Sequence, residues 1–211
     1  MDAMIKMKPC KYGLHFLFVV FFVLLVVTSH NVHSAEVVNQ YGKSLLEFNS
    51  PNEAKEWRVV NDGVMGGLSD SQMIITQRST AIFQGNISLK NNGGFASVRT
   101  FPRAYELSGY SGLTIRIMGD GKKYQVRLRT DDNFDGISYK ESFETTLNTW
   151  INVTLHFKTF VPSFHGRLVA DAPSLNPNKI RQIGFLIADE QAGPFKLEIG
   201  WIRAHKEFTK D

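Results

Sequence analysis

Apolar and polar residues alternate one by one in four stretches between residues 113 and 201, and a period of two fits an extended strand and not a helix. In GLTIRIMGDGKKYQVRLRT, Leu113, Ile115 and Ile117 fall on one side, with Thr114, Arg116 and Met118 on the other. Tyr124, Val126 and Leu128 alternate in the same way with Gln125, Arg127 and Arg129. The Asp-Gly pair between the two runs predicts a hairpin, which would place Arg116, Arg127 and Arg129 on one face. WINVTLHFKTF sets Ile151, Val153, Leu155 and Phe157 against Asn152, Thr154, His156 and Lys158. PFKLEIGWI places Phe195, Leu197, Ile199 and Trp201 together. IRQIGFLIAD is apolar on both faces, as a central strand would be, and STAIFQGNISL and GGFASVRTF supply two more strands. The 16 phenylalanines and 17 glycines suit strands and turns better than a helical bundle. One short helix is expected in NSPNEAKEW, where Ser50, Pro51 and Glu53 form a capping box before Trp57. Seven or eight strands with almost no helix predict an all-β, antiparallel sandwich.

The first residues follow different rules. Lys6, Lys8 and Lys11 precede FLFVVFFVLLVV, residues 16–27, an unbroken apolar run. As a helix it would span roughly 18 Å, against about 30 Å of bilayer hydrocarbon. That length suits a secretory signal, with Val32 and Ser34 small enough to precede a cut before Ala35; an uncleaved anchor is the alternative. A mitochondrial presequence is disfavoured, because the first arginine is Arg58. The expected organisation is therefore a leader or anchor over 1–34, a lead-in over 35–43, one β-domain over 44–205 and a tail over 206–211. Without the leader the formal net charge falls from +4 to +2, which argues against a nucleic-acid partner. Contact with membrane is expected only through the N-terminal segment. The single cysteine, Cys10, lies in the leader, so the domain is expected to fold without a disulfide.

NDGVMGGLSDS, residues 61–71, is poor in side chains and rich in backbone freedom. Asn61 and Asp62 can bond their own backbone, while Gly63, Gly66 and Gly67 can take positive φ. Either the chain turns tightly beneath Trp57, or Asn61, Asp62, Gly63, Met65, Gly66, Gly67 and Ser69 meet a partner. DDNFDGISYKES places Asp131, Asn133 and Asp135 at alternate positions before Gly136, like the start of a calcium loop. The glutamate that a full loop needs is displaced to Glu141, so a solvated hairpin loop is the plainer reading, and no cofactor is expected. Arg116, Arg127 and Arg129 form either a basic stripe for an acidic partner or ordinary cross-strand pairs. For a glycan, Tyr139, Trp150 and Phe164 are stacking candidates. His156, His165 and His205 stand in no metal-ligand spacing, and no nucleophile elbow or phosphate loop occurs. A non-enzymatic domain is expected.

WRVVNDGVMGGLSDS, FQGNISLKNNGGFASVR, GDGKKYQVRLR, WINVTLHFKTFVPSFHGR and ADEQAGPFKLEIGWIRA, in that order, resemble successive blocks of the complex I intermediate-associated protein 30 family. The resemblance covers about residues 44–205. It implies a galactose-binding-like jelly roll and a non-catalytic role in assembling NADH:ubiquinone oxidoreductase, with subunits of that respiratory complex as protein partners. Mitochondrial members of the family work on the matrix side. The leader instead predicts an exported, periplasmic or extracytoplasmic domain, with a mitochondrial location as the alternative. An exported carbohydrate-binding module is the alternative function.

Overall fold

The computed structural model describes residues 42–206. The leader over 1–34 and nearly all of the lead-in and tail lie outside these residues. Among them, no helix is long and apolar enough to cross a membrane.

The capping box forms as its spacing requires. Ser50 Oγ accepts from Asn52 N–H, and Glu53 Oε1 accepts from Ser50 N–H, which starts a single 3-10 turn, Pro51–Glu56. It hands the chain directly to a strand at Trp57.

Among the described residues thirteen strands build two antiparallel sheets. The first sheet orders β3 (Asp70–Ile75), β4 (Ala81–Ile87), β13 (Gly193–His205), β6 (Gly112–Met118) and β9 (Trp150–His156), with β1 (Lys43–Leu46) also paired to β13. The second orders β11 (Arg167–Leu168), β10 (Val161–Phe164), β8 (Ser138–Glu144), β7 (Lys123–Arg129), β12 (Gln182–Ile187), β5 (Ala96–Thr100) and β2 (Trp57–Val59). The apolar sets expected from alternation turn inward from both layers. Leu113, Ile115 and Ile117 of β6, and Tyr124, Val126 and Leu128 of β7, are all fully buried. The Tyr124 ring approaches Phe195 across the layers, with centroids 6.4 Å apart, and Phe195 meets Phe83 edge-on at 4.9 Å. IRQIGFLIAD is indeed an interior strand, β12, with Ile183, Phe185 and Ile187 fully buried.

Two expectations need correction. The segment joining β6 to β7 is not a hairpin turn: β6 pairs with β9 and β13 in the first sheet, and β7 pairs with β8 and β12 in the second. The linking residues are a corner between layers. The Asp120 carboxylate accepts from Tyr124 Oη at 3.1 Å and from Lys196 N–H at 2.9 Å, pinning the corner to a strand of each sheet. A Cβ on Gly119 would lie 2.3 Å from Thr145, so only glycine passes there. Local alternation and a turn pair are compatible with either geometry. The second correction is Trp201. The β13–β6 register shifts between Ile199 and Trp201. The extra residue at Gly200 inverts the alternation, so Ile202 and Ala204 are buried in place of Trp201, which stays half-buried beneath the Arg203 guanidinium at 4.4 Å.

The core is apolar and rich in aromatic rings, so truncating one of them should be costly. Phe83→Ala is expected to destabilise the domain by about 3–5 kcal/mol, from lost burial plus the cavity left behind. Equilibrium denaturant unfolding of the variant beside the parent measures this.

Candidate functional site

The glycine-rich stretch after Trp57 is organised around one carboxylate. Asp62 opens a 3-10 turn, Asp62–Met65, and is wholly buried. Its oxygens accept from Ser69 Oγ at 2.5 Å, Gly94 N–H at 2.7 Å, Ser69 N–H at 2.9 Å and Phe95 N–H at 3.3 Å. Burial acts to raise this carboxyl, but the Ser69 hydroxyl and the three backbone donors outweigh it and hold it below the ordinary carboxylate range. The glycines follow from that packing. A Cβ on Gly67 would lie 2.4 Å from the Asp62 side chain, and one on Gly93 would lie 2.6 Å from it. Gly66 closes the turn in the left-handed region at φ 87°. Asn61 accepts from Ser71 Oγ at 2.7 Å and from Ser97 N–H at 3.2 Å. The structure therefore uses Asn61, Asp62, Gly66, Gly67 and Ser69 for the turn itself. A Cβ on Gly63 would meet nothing, and Val64, Met65 and Leu68 project outward, each more than half exposed.

Beside this turn lies a cleft of about 450 Å³ on the outer face of the second sheet. Antiparallel pairing sets a row of cations across the sheet, of which Arg99 and Arg127 line the cleft: Arg58 stands opposite Arg99, Arg99 opposite Gly184, Gly184 opposite Arg127, and Arg127 opposite Lys140. Arg129 lies one step along, opposite Gln182. Gly184 leaves the row open at its middle, and a Cβ there would come within 2.6 Å of the Val98 carbonyl. The apolar walls are Val60, Val64, Met65 and Phe95 on the side of the turn, and Phe134 on the other.

Each arginine is held differently. The Arg127 guanidinium donates to Gln125 Oε1 at 2.8 and 3.1 Å, to Ser138 Oγ at 3.0 Å and to Ser163 Oγ at 3.1 Å. Arg99 donates to the Phe134 carbonyl at 2.6 Å, and its guanidinium lies 4.8 Å from the Phe134 ring. Arg58 covers Phe101 at 4.7 Å. Arg99 Nε and Arg129 Nη1 are buried and make no hydrogen bond. Among the described residues none of Arg99, Arg127 and Arg129 is in an ion pair with a carboxylate. Burial pulls Arg99 down to about 10, helped by Arg129 and Arg58, and pulls Arg127 down to about 10, helped by Arg129. Arg129 is lowered by burial too, with Asp131 and Asp135 acting against it. Such a floor favours an oxyanion.

The sequence candidates divide accordingly. Met65, Arg127, Arg129 and Asp135 meet at the cleft. Arg116 does not: it belongs to the first sheet, where it donates to Asn152 Oδ1 at 3.3 Å and lies 5.3 Å from the Trp150 ring. The expected three-arginine face is split because the two strands occupy different layers. In the loop between β7 and β8, Asp131 accepts from Asn133 N–H at 3.1 Å, while Asp135 pairs with His165 at 3.0 Å. Among the described residues no group of three acidic, histidine or cysteine side chains gathers where a metal could sit. Tyr139 is buried in the core with its hydroxyl on the Pro173 carbonyl, so it offers no face to a sugar. Arg58 and Arg99 escaped the sequence reading. Both stand at outward positions of their strands, but only the cross-strand register aligns them with Arg127.

The family model described as complex I intermediate-associated protein 30 matches residues 46–199, taking in the Asp62 turn, the cation row and both sheets. The chain belongs to the complex I intermediate-associated protein 30 family. Mouse mitochondrial complex I intermediate-associated protein 30 is 27% identical over 189 residues, covering 79% of this chain and 57% of its own length. The Drosophila melanogaster mitochondrial protein of the same name is 25% identical, covering 75% and 61%. The chain thus spans a little over half the length of these curated relatives. Among solved structures, a family 11 carbohydrate-binding module of a Clostridium thermocellum cellulosomal cellulase superposes with a TM-score of 0.61 at 13% identity, covering 79% of this chain and 95% of the module. An agarase superposes with a TM-score of 0.53 at 11% identity, over 80% of this chain and 25% of its own. These likenesses establish the galactose-binding-like sandwich.

Replacing Asp62 tests the organisation of the turn. Asp62→Asn keeps the shape but sets an NH2 group against backbone donors, and should cost about 2–3 kcal/mol at neutral pH. Because the folded carboxyl lies below its unfolded value, its contribution is complete above about pH 4 and lost as pH falls through the folded pKa. The stability gap between parent and variant should therefore close in acid, as followed by denaturant unfolding across pH.

Proposed function

We propose that this domain is a non-catalytic docking module that holds a partner protein during assembly of NADH:ubiquinone oxidoreductase. The observation that carries the reading is the outer face of the second sheet. There an apolar turn, exposed at Val64, Met65 and Leu68, is fixed by the buried Asp62 beside a cleft floored with arginines. Exposed apolar groups on a rigid mount, next to polar groups that fix orientation, are what a protein partner uses. Family membership directs the reading towards respiratory-complex subunits.

The likeness to carbohydrate-binding modules supports the sandwich more than a glycan ligand. A sugar ring needs exposed aromatic faces, and the wall ring nearest the cations, Phe134, already carries Arg99. The hydroxyls of Ser138 and Ser163 are engaged by Arg127, and Asp135 and His165 are paired with each other at the mouth. This leaves the cleft better suited to holding than to chemistry. For the compartment, the mitochondrial names of the relatives support the mitochondrion, whereas the apolar leader supports export.

The combined variant Val64→Ser, Met65→Ser and Leu68→Ser should unfold within about 0.5 kcal/mol of the parent, as exposed substitutions do. Crosslinking and co-purification from native membranes should recover respiratory-complex subunits with the parent, and at least about tenfold less with the variant. Equal recovery, or binding on a glycan array with no subunits recovered, would overturn the docking reading. A reporter fused after residue 45 locates the domain: mitochondrial signal is the expected outcome, and secretion would move its site of action to the opposite side of a membrane.

A further inference from the structure

The arginine floor carries more positive charge than the chain neutralises. Arg99, Arg127 and Arg129 converge within one partly buried cleft, no carboxylate pairs with any of them among the described residues, and two of their buried N–H groups lack a hydrogen-bond acceptor. A structural network would close such donors, as Gln125, Ser138 and Ser163 do for Arg127. Buried donors left open cost free energy that an arriving oxyanion would recover.

The surroundings narrow the oxyanion. Val60, Val64, Met65, Phe95 and Phe134 line the walls, so groups flanking the charge must be apolar. Asp135 lines the mouth as well, and Asp131 and Asp132 occupy the same loop between β7 and β8. These carboxylates repel a polyanion, which rules against a nucleic-acid backbone and against a densely charged lipid surface. One carboxylate with apolar neighbours on a flexible backbone satisfies both conditions.

Building on the docking reading, we infer that Arg99, Arg127 and Arg129 form a carboxylate-binding site for an acidic residue within an otherwise apolar segment of the partner protein. The carboxylate enters over Gly184, where the row of side chains is interrupted. Arg127, held rigid from behind by Gln125 and the two serines, presents its remaining N–H outward. Arg99 Nε and Arg129 Nη1 close on the same anion. The neighbouring side chains of the segment lie against Met65 and Phe134.

The test uses the full chain and a fluorescent peptide carrying one glutamate among leucine and phenylalanine residues, beside the same peptide with glutamine in its place. Fluorescence anisotropy should show the glutamate peptide binding at least about tenfold more tightly, as expected when a buried charge loses its partner, and weakening as salt is raised. Arg99→Gln and Arg129→Gln should each weaken the glutamate peptide by about tenfold while leaving the glutamine peptide unchanged. These two positions are preferred to Arg127, whose four hydrogen bonds make its loss a folding risk, and thermal melting of each variant checks that the domain is intact. Arg116→Gln, in the other sheet, should change nothing. Equal affinity for the two peptides, or full binding by the Arg99→Gln, Arg129→Gln double variant, would overturn the site. So would arginine-dependent capture of inorganic phosphate or of phosphatidylserine vesicles in place of the peptide. If the parent binds the glutamate peptide but recovers no respiratory subunit from membranes, the site stands and the assembly role falls. If subunits are recovered equally by parent and double variant, the reverse holds.

Discussion

Four donors from two separate segments meet on the buried Asp62 carboxylate: the side chain and backbone of Ser69, just before β3, and the backbone of Gly94 and Phe95, just before β5. The first sheet contains β3 and the second contains β5, so this one group binds the two layers at one end of the sandwich. An ionised carboxylate taken out of water is tolerable only when its lone pairs are filled, and here they are. The arrangement also explains the glycines around it. Two of them, Gly67 and Gly93, stand so close to the carboxylate that any side chain would displace it. What looks in sequence like loose, flexible chain is a tight shell around a charge, and its by-product is a firm platform for Val64 and Met65.

The cleft next to that platform departs from ordinary sheet surfaces. Cross-strand neighbours on an exposed face usually pair opposite charges, since like charges directly opposite each other are destabilising. Here Arg58 faces Arg99 and Arg127 faces Lys140. The fold tolerates this by stacking rings under the cations, with Phe101 below Arg58 and Phe134 below Arg99, and by the amide and hydroxyl partners of Arg127. A domain under selection for stability alone would have placed an acid in that row. Asp131 and Asp135 act on Arg129 only through space, and Asp135 is turned to His165.

Much of the architecture could be read from alternation. Leu113, Ile115, Ile117, Tyr124, Val126 and Leu128 enter the core as their spacing requires, and the capping box at Ser50 forms where its residues stand. The failures share one cause. Alternation fixes which side of a strand is greasy, but it does not fix which sheet the strand joins. The Asp-Gly link after β6 is therefore compatible in sequence with a hairpin, and it is the Asp120 bridge to Tyr124 and Lys196 that makes it a corner between the sheets. Trp201 leaves the core face that its spacing predicts because one inserted residue at Gly200 reverses every later side chain, and nothing local announces it. The cleft was half legible for the same reason. Arg127 and Arg129 could be picked out on their own strand, whereas Arg58 and Arg99 join them only through pairings between residues far apart in the chain.

One further consequence lies in β13. Its first half pairs with β4, its second half pairs with β1, and β6 runs along its opposite edge. It is also the last in chain order of the described strands. During synthesis, β4 and β6 must wait with open edges until Gly193–His205 emerges between them, a hazard that long-range pairing imposes on growing β-proteins. The strands of the second sheet have all emerged once β12 has, before the first sheet receives β13.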